Sequence, residues 1–340
     1  MDPIKAHLKK GVKVAFLTKY CDIVIQLIIS AILARILSPS DYGLFAIIII
    51  FINFAQLIAE IGICPAIVQN NELNTDDVGS IFIFTIFQGL ILALVYYFIS
   101  LLIFLIYHQP IFLKSRLDIS IIIFFSSLTT VPLGILRKKL EFIYIGVFNI
   151  LANLIGGLCG IFMALKDFGV YSLIYKTIIS GILMFFFLYA RAQIKLQPKF
   201  SFQSVKKIEN YCLNQFGFNV INYISRNIDN LLIGKVIGTA PLGIYDRAYK
   251  LMMYPIQSLT FVINPVIHPV LSKIRDDKKQ LRKTYLDLLR LLSLISIPLI
   301  AGLYIYFRRK LFWFFMALVG WSQLRSLKYC VLYRVYKLFR

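Results

Sequence analysis

The chain has 340 residues, of which 59% are hydrophobic and 16% charged, and its mean hydropathy is +0.78. Soluble globular proteins contain about 45–50% apolar and about 25% charged residues, so this composition excludes intrinsic disorder and argues strongly against a water-soluble enzyme. Lys and Arg number 37 against 16 Asp and Glu, which gives a net charge of +21. Membrane proteins concentrate Lys and Arg in cytoplasmic loops, so the charge does not call for a nucleic acid partner.

Long apolar segments follow one another along the chain. A helix of about 20 apolar residues crosses the hydrocarbon core of a bilayer, and these segments are too long for strands and lack their alternation. We therefore predict an all-α, polytopic membrane protein with about nine transmembrane helices. The predicted spans are Val12–Ile36, Gly43–Val68, Val78–Tyr107, Leu117–Leu136, Ile143–Leu165, Val170–Tyr189, Phe216–Ile237, Tyr249–Leu271 and Tyr285–Tyr306.

The longest polar connection follows the sixth predicted span and divides the chain into two helical lobes, the usual plan of a secondary transporter. We find no clean sequence repeat between the lobes. The predicted parts are a six-helix lobe (1–190), a basic cytoplasmic linker (191–215), an incomplete second lobe of about three spans (216–306) and a basic tail (307–340).

The distribution of basic residues predicts a cytoplasmic N-terminus. With that orientation the cytoplasmic segments hold 17 Lys and Arg residues, and the opposite loops and their flanks hold six. Loops rich in Lys and Arg stay on the cytoplasmic side. The acidic loop 69–77 would also be cytoplasmic, but acidic residues contribute little to this rule.

Polar side chains recur on one face of four predicted spans. Because lipid disfavours polar groups, such a face is expected to lie against protein or water. We predict that the four faces line one aqueous cavity suited to sugar hydroxyls and an anionic phosphate. The candidate cavity residues are Lys19, Asp22, Gln26, Asn53, Gln56, Glu60, Asn222, Arg226, Asp229, Gln257, Asn264 and His268.

Other roles stay open for the same residues. Single Asn and Gln residues more often form interhelical hydrogen bonds, each contributing about 0.6–2 kcal/mol. Lys19 with Asp22, and Arg226 with Asp229, could neutralise each other, and Glu60 near a span end could reach the headgroup region. The charged set favours the cavity, because an ionised group near the membrane centre costs about 2.5 kcal/mol or more without partners. Separately, Gly156 and Gly160 predict close helix packing in the fifth span.

Motifs of catalysis are not recognisable in the sequence. The three His and five Cys residues show no metal-ligand spacing, and neither a phosphate-binding glycine loop nor GxSxG occurs. Asp276 and Asp277 could hold Mg²⁺ with a pyrophosphate, but their Lys-rich surroundings are more typical of a solvated loop. We therefore predict a protein that is not an enzyme and needs no metal or cofactor, although an ion gradient could drive it.

Four segments resemble a known family. They are AILARILSPSDYGLF (Ala31–Phe45), EIGICPAIVQNNEL (Glu60–Leu73), RNIDNLLIGKVIGTAPLGIYDRAYKL (Arg226–Leu251) and INPVIHPVLSKIRDDKKQLRKTYLDLLRLLSLISIPLIAGL (Ile263–Leu303). Together they are similar to Wzx-type polysaccharide flippases of the multidrug/oligosaccharidyl-lipid/polysaccharide exporter superfamily, in the branch that includes the colanic-acid exporter. The likeness extends from about Phe16 to Tyr306.

The resemblance implies a carrier in the bacterial inner membrane. It would translocate an undecaprenyl-diphosphate-linked oligosaccharide for O-antigen, capsule or exopolysaccharide assembly, by alternating access of two lobes around a cationic cavity. Its partners would be the lipid-linked oligosaccharide, membrane lipids, and the polysaccharide polymerase and export machinery. Glu60, Arg226 and Asp229 lie inside matching segments, whereas Lys19 and Asp22 rest on periodicity alone.

Two rival functions are weighed against the flippase. A multidrug-type exporter of small cationic molecules needs an acidic cavity, and Lys19 and Arg226 fit an anionic glycolipid better. A membrane-embedded transferase or polymerase needs a large external loop or a cluster of catalytic acids, and the sequence has neither.

The tail Phe307–Arg340 departs from the family. It has eight Lys or Arg residues and no acidic residue, and such proteins usually have about 12 spans or more. When Arg308–Cys330 is reverse-translated and the resulting codons are read in the frame one base earlier, they can encode a sequence similar to the segment that follows the ninth span in the family. We therefore expect an out-of-frame tail on a truncated chain that is unstable or inactive in transport. The alternative is a genuine short tail with a tenth apolar segment at Leu311–Val319.

Overall fold

The computed structural model describes residues 3–60, 62–70, 73–194 and 202–250, together with residues 252, 253 and 286. The chain forms two compact units, Met1–Asp246 and Arg247–Arg340. The first unit contains almost all of the described residues. The eighth and ninth predicted spans and the basic tail lie almost entirely outside them.

Helices account for all regular structure within the described residues. They are α1 (Pro3–Ile36), α2 (Pro39–Glu60), α3 (Ile63–Gln69), α4 (Thr75–Tyr107), α5 (Ile111–Lys114), α6 (Arg116–Lys138), α7 (Phe142–Leu165), α8 (Tyr171–Ala192), α9 (Phe202–Val236) and α10 (residues 239–250). The predicted all-α class is confirmed. α9 begins at Phe202, so part of the segment predicted as a linker is helical.

Five helical segments in the described part of the chain are long and apolar enough to cross a membrane. They are Pro39–Gln69, Asp76–Tyr107, Arg116–Lys138, Phe142–Leu165 and Tyr171–Ala192. These segments coincide with the second to sixth predicted spans and establish a multi-pass membrane protein. α1 and α9 coincide with the first and seventh predicted spans and carry more charged residues.

The second predicted span, Gly43–Val68, is interrupted. Gly62 has φ 72° and separates α2 from α3. A residue without Cβ adopts this left-handed conformation at no steric cost. Nε2 of Gln88 in α4 donates a hydrogen bond to the Ile58 carbonyl at 3.1 Å. The Ile58 carbonyl is one of the last four of α2, and such carbonyls have no hydrogen-bond partner within their own helix.

The helices of the first unit pack in a continuous series. α1 lies against α7, α7 against α8, α8 against α6, and α6 against α4. The largest buried cluster joins α2, α4, α6 and α8 and includes Ile47, Ile48, Ile123 and Ile174, all fully buried. Lipid tails are as apolar as these side chains, so close packing stabilises such a core more than the hydrophobic effect does.

The predicted close packing at Gly156 and Gly160 is confirmed at the contact of α7 with α8. A Cβ on Gly156 would lie 2.7 Å from the Lys176 carbonyl oxygen, and one on Gly160 would lie 3.1 Å from that of Ser172. Two small residues one turn apart therefore let the two backbones approach directly.

α2 and α10 meet at their first turns through a reciprocal pair of glycine contacts. A Cβ on Gly43 would overlap the Thr239 carbonyl oxygen, and a Cβ on Gly243 would overlap that of Pro39. The hydroxyl oxygens of Ser40 and Thr239 are 3.0 Å apart. The two helices therefore touch backbone to backbone, with neither glycine replaceable without a shift.

This glycine joint reveals a local repeat. Gly43 and Gly243 are 200 positions apart, as are Pro39 and Thr239. Segments 37–45 and 237–245 are thus two copies of one packing motif that contact each other as partners. The glycine is the only identical residue in their alignment, which explains why the sequence shows no clean repeat.

Candidate functional site

Asp22 lies in the contact of α1 with α7 and is only 2% exposed. Its Oδ2 accepts hydrogen bonds from Nε2 of Gln26 at 3.1 Å and from Nδ2 of Asn149 at 2.9 Å. Its Oδ1 accepts one from Nδ2 of Asn153 at 2.9 Å. Nζ of Lys19 lies 4.0 Å from Oδ2. Three carboxamides and one ammonium group therefore surround a single carboxylate.

One face of α7 lies against this carboxylate. Asn149 and Asn153 are four residues apart and so lie on the same helical face. Gly146 and Gly157 flank them and leave room for side chains of α1 that a Cβ would meet. The two asparagines were not predicted as site residues, although their spacing in the fifth predicted span is the same signal that marks the polar faces of the other helices.

Lys19 stands at the edge of this cluster. Its side chain is 45% exposed, whereas that of Asp22 is 3% exposed. The 4.0 Å separation is at the limit of an ion pair and beyond hydrogen-bond distance. The ammonium group therefore neutralises Asp22 only partly and remains accessible to a second anion.

The α2 residues of the predicted cavity have two different environments. Asn53 and Gln56 are exposed, whereas Glu60 is partly buried at the end of α2. Arg137 of α6 interacts electrostatically with Glu60, and its Nη1 lies 3.3 Å from Sγ of Cys64. Glu60 therefore has a cationic neighbour within the first unit.

On α9, Asn222 and Arg226 are exposed. Asp229 accepts a hydrogen bond from the Tyr245 hydroxyl at 2.7 Å and from the backbone N–H of Asn230 at 2.8 Å. Within the described residues Arg226 and Asp229 form no ion pair, so mutual neutralisation is not seen in this structure.

Contact between α2 and α9 places two of the predicted polar faces on neighbouring helices. The Tyr223 hydroxyl donates to the Ile50 carbonyl at 2.7 Å, and the rings of Tyr223 and Phe54 are 5.8 Å apart. Asn53 and Asn222 are each one position from a residue of this contact. The exposed amides of the two helices therefore flank the same packing contact.

The structure groups the predicted residues only in part. Lys19 and Gln26 each contact Asp22. The polar faces of α2 and α9 are adjacent. Among the described residues no hydrogen bond or ion pair links the α1 group to the others. The residues predicted for the eighth span, Gln257, Asn264 and His268, lie outside the described residues, so the single cavity stays a prediction.

Basic and aromatic residues gather at the end of the first unit predicted to be cytoplasmic. Arg191 donates to both Glu141 carboxylate oxygens, at 2.8 and 3.1 Å, and its guanidinium carbon lies 4.3 Å from the Tyr144 ring centre. Nζ of Lys138 donates to the Asn70 carbonyl at 2.6 Å. Such residues are typical of the membrane–water interface. In the described part of the chain no His, Cys, Asp and Glu group could hold a metal.

Comparison with known proteins gives a consistent family. Residues 32–312 match the model of a family described as "Polysaccharide biosynthesis protein". No solved structure matches the chain.

Among curated relatives, the teichuronic acid biosynthesis protein TuaB of Bacillus subtilis is 24% identical over 89% of this chain and 63% of its own length. The lipopolysaccharide biosynthesis protein WzxC of Escherichia coli is 25% identical over 80% of this chain and 56% of its own. The succinoglycan biosynthesis transport protein ExoT of Rhizobium meliloti is 22% identical over 80% and 55%. The chain thus matches little more than half the length of these relatives.

Proposed function

The chain belongs to the polysaccharide biosynthesis protein family, and from this membership we propose that it is a flippase for a lipid-linked oligosaccharide. The substrate class is an oligosaccharide joined through a diphosphate to a polyprenyl lipid, moved across the inner membrane for assembly of a surface polysaccharide. The N-terminus is cytoplasmic in this proposal. The names of relatives that act in polysaccharide biosynthesis and transport support it.

The observation that carries the proposal is the exposure of polar and cationic side chains on helices of a membrane protein. Lys19 of α1, Asn53 and Gln56 of α2, and Asn222 and Arg226 of α9 are exposed. If such a side chain faced lipid near the membrane centre, its ionised group would raise the free energy by about 2.5 kcal/mol or more. An aqueous cavity removes that cost, and alternating access of two lobes would open it to either side in turn.

The chemistry of these side chains fits a glycolipid with an anionic linker. Ammonium and guanidinium groups bind phosphate oxygens, the latter with two parallel hydrogen bonds. Carboxamides both donate to and accept from sugar hydroxyls. Lys19 and Arg226 are accordingly assigned to the diphosphate, and Asn53, Gln56 and Asn222 to the glycan.

A multidrug-type exporter is the second candidate, and the surroundings of the carboxylates argue against it. Asp22, Asp229 and Glu60 each have donors or a cation as neighbours in the described residues. A site for organic cations needs carboxylates without such neighbours. Partners in polymerisation and export, and the colanic-acid branch, stay predictions.

Complementation tests the proposed function. The full chain is expressed in a strain that lacks its own flippase, and surface polysaccharide is measured at matched membrane levels of the protein. We expect the wild type to restore polysaccharide, an outcome that would overturn the inactivity expected from the tail, and we expect Arg226→Gln to abolish it. Lys166→Gln is the matched control, because Lys166 lies at the exposed end of α7, 4.6 Å from the Phe162 ring centre. Membrane-inserted wild-type protein that restores nothing would contradict the proposal.

A further inference from the structure

We propose that Arg137 recognises the substrate diphosphate at the end of the polar face of α2, and that it selects a diphosphate over the single phosphate of an ordinary membrane lipid. The inference rests on the proposed function and adds an entry site to it. Arg137 lies in the last turn of α6 and is not among the cavity residues that periodicity predicted.

The polar face of α2 ends beside this guanidinium. Asn53, Gln56 and Glu60 follow one another at intervals of three and four residues and so share one side of the helix. Glu60 is the last residue of α2, and Arg137 interacts with it electrostatically. With the N-terminus in the cytoplasm, α2 ends on the cytoplasmic side. A substrate taken from the cytoplasmic leaflet therefore meets Arg137 before it meets the amides.

The guanidinium of Arg137 leaves most of its donors unpaired among the described residues. Arg137 is exposed, and its Nη1 lies 3.3 Å from Sγ of Cys64. A sulphur atom is a weak acceptor, whereas a guanidinium has five N–H donors. No described carboxylate lies within ion-pair distance of Arg137, so Glu60 attracts the guanidinium without occupying it.

Arg191, at the same end of the first unit, shows the occupied arrangement. Its guanidinium donates to both Glu141 carboxylate oxygens, at 2.8 and 3.1 Å, and its guanidinium carbon lies 4.3 Å from the Tyr144 ring centre. Two parallel hydrogen bonds of this kind bind a carboxylate or a phosphate strongly. The corresponding donors of Arg137 remain available, and an anion with several oxygens can accept from them.

α3 and α6 fix the backbone around Arg137. A Cβ on Gly134, three residues earlier, would lie 3.4 Å from Cα of Cys64, so the two helices are in close contact there. Nζ of Lys138 donates to the Asn70 carbonyl, directly after α3, at 2.6 Å. Binding of an anion therefore has to order only the side chain of Arg137, which lowers the entropic cost of binding.

Selection follows from the charges at this position. A diphosphate has more oxygens and more negative charge than the phosphodiester of a phospholipid, so it gains more from a cation with two parallel donors. The Glu60 carboxylate acts in the opposite sense, because its negative charge repels any anion that approaches. A lipid with a single charge therefore gains little from Arg137 beside Glu60, whereas a diphosphate gains enough to bind.

Binding of farnesyl diphosphate and of farnesyl monophosphate to the purified full chain tests the inference. Equilibrium dialysis in detergent measures both affinities, at about 0.15 M salt so that charges more than about 8 Å apart are largely screened. We expect the wild type to prefer the diphosphate. Arg137→Gln should weaken binding of the diphosphate by about tenfold, the loss expected for a hydrogen bond to a charged group, and weaken binding of the monophosphate less.

Three further variants sharpen this test. Arg137→Lys keeps the charge but lacks the two parallel donors, so it should fold normally and lose most of the preference for the diphosphate. Glu60→Gln removes the opposing charge and should strengthen binding of the diphosphate several-fold. Lys139→Gln is the matched control, because Lys139 is exposed two residues beyond Arg137 and the variant loses the same charge. It should bind both probes as the wild type does.

Phosphatidylglycerol distinguishes the two sources of lipid phosphate. Added at a concentration equal to that of farnesyl diphosphate, it should leave the bound diphosphate in place. Displacement of the diphosphate from the wild type would show a general site for anionic lipids and would overturn the selection.

The outcomes separate this inference from the proposed function. Failure of the wild type to bind the diphosphate would contradict the proposed function. Diphosphate binding that is unchanged in Arg137→Gln, a preference that survives in Arg137→Lys, or weaker binding in Glu60→Gln would overturn only the role of Arg137.

Discussion

α1 and α9 hold equivalent places in the sequence relative to the glycine joint and differ in what covers their polar faces. α1 ends at Ile36 and α9 at Val236, 200 positions apart, and each helix precedes one copy of the glycine joint. Asp22 of α1 corresponds to Asn222 of α9. Asp22 is buried against α7, whereas Asn222 is exposed.

The difference teaches that a periodic set of polar residues identifies a helical face but not its neighbour. On α1 the neighbour is α7, whose asparagines bind the carboxylate. On α9 the packed side contacts α2 through Tyr223 and the polar residues lie beside that contact. The same periodic pattern therefore marks a face that forms interhelical hydrogen bonds on α1 and a face that stays accessible on α9.

The largest effect is expected from breaking the joint that makes the two helices equivalent. Gly43→Ala and Gly243→Ala each push a Cβ into a backbone carbonyl, and the overpacking should cost about 3 kcal/mol in either case. The free energy of unfolding in detergent measures this. The control is Gly181→Ala, since a Cβ there meets nothing within 4 Å and replaces a helical glycine by the best helix former. A neutral Gly43→Ala would mean that the joint does not hold the two copies together.

A smaller effect is expected from removing the acid. Asp22→Ala leaves the donors of Asn149 and Asn153 without an acceptor and should destabilise the protein by about 1–3 kcal/mol. Asn222→Ala at the equivalent exposed position should change stability by less than about 0.5 kcal/mol. Thermal unfolding of both variants compares the two helices directly. Equal losses would show that the neighbouring helix does not matter.

The smallest effect concerns the basic residues in the last turns of the two helices. Nζ of Lys235 donates a hydrogen bond to the Ile106 carbonyl near the end of α4. Lys235→Met should therefore cost about 0.5 kcal/mol, the scale of a cation at a helix C-terminus. Arg35→Met at the equivalent position of α1 should cost nothing measurable, because Arg35 has no hydrogen bond or ion pair to another described residue. Urea titration of the two variants would show whether this difference exists.

Apolar length predicted most of the helices. α7 begins one residue before the predicted fifth span and ends with it at Leu165. The interruption at Gly62 was not predicted, since one glycine in an apolar run does not reveal its φ. The early start of α9 was missed because hydropathy detects only the part of a helix that is apolar.

Periodicity predicted part of the candidate site. It placed Lys19, Asp22 and Gln26 on one face, where Lys19 and Gln26 both contact Asp22. It could not identify α7 as the neighbour, because a pattern within one helix has no information about the next. The glycine joint was also beyond reach, since it pairs segments 200 residues apart that share a single identical residue.

Each glycine of the joint packs on the carbonyl of the residue four positions before the other glycine. An insertion or deletion of one residue between Pro39 and Gly43 would therefore disrupt both contacts at once, and so would one in the second copy. The two segments must keep the same spacing through evolution. Chimaeras that combine halves of different members of the family should assemble only when both halves retain it.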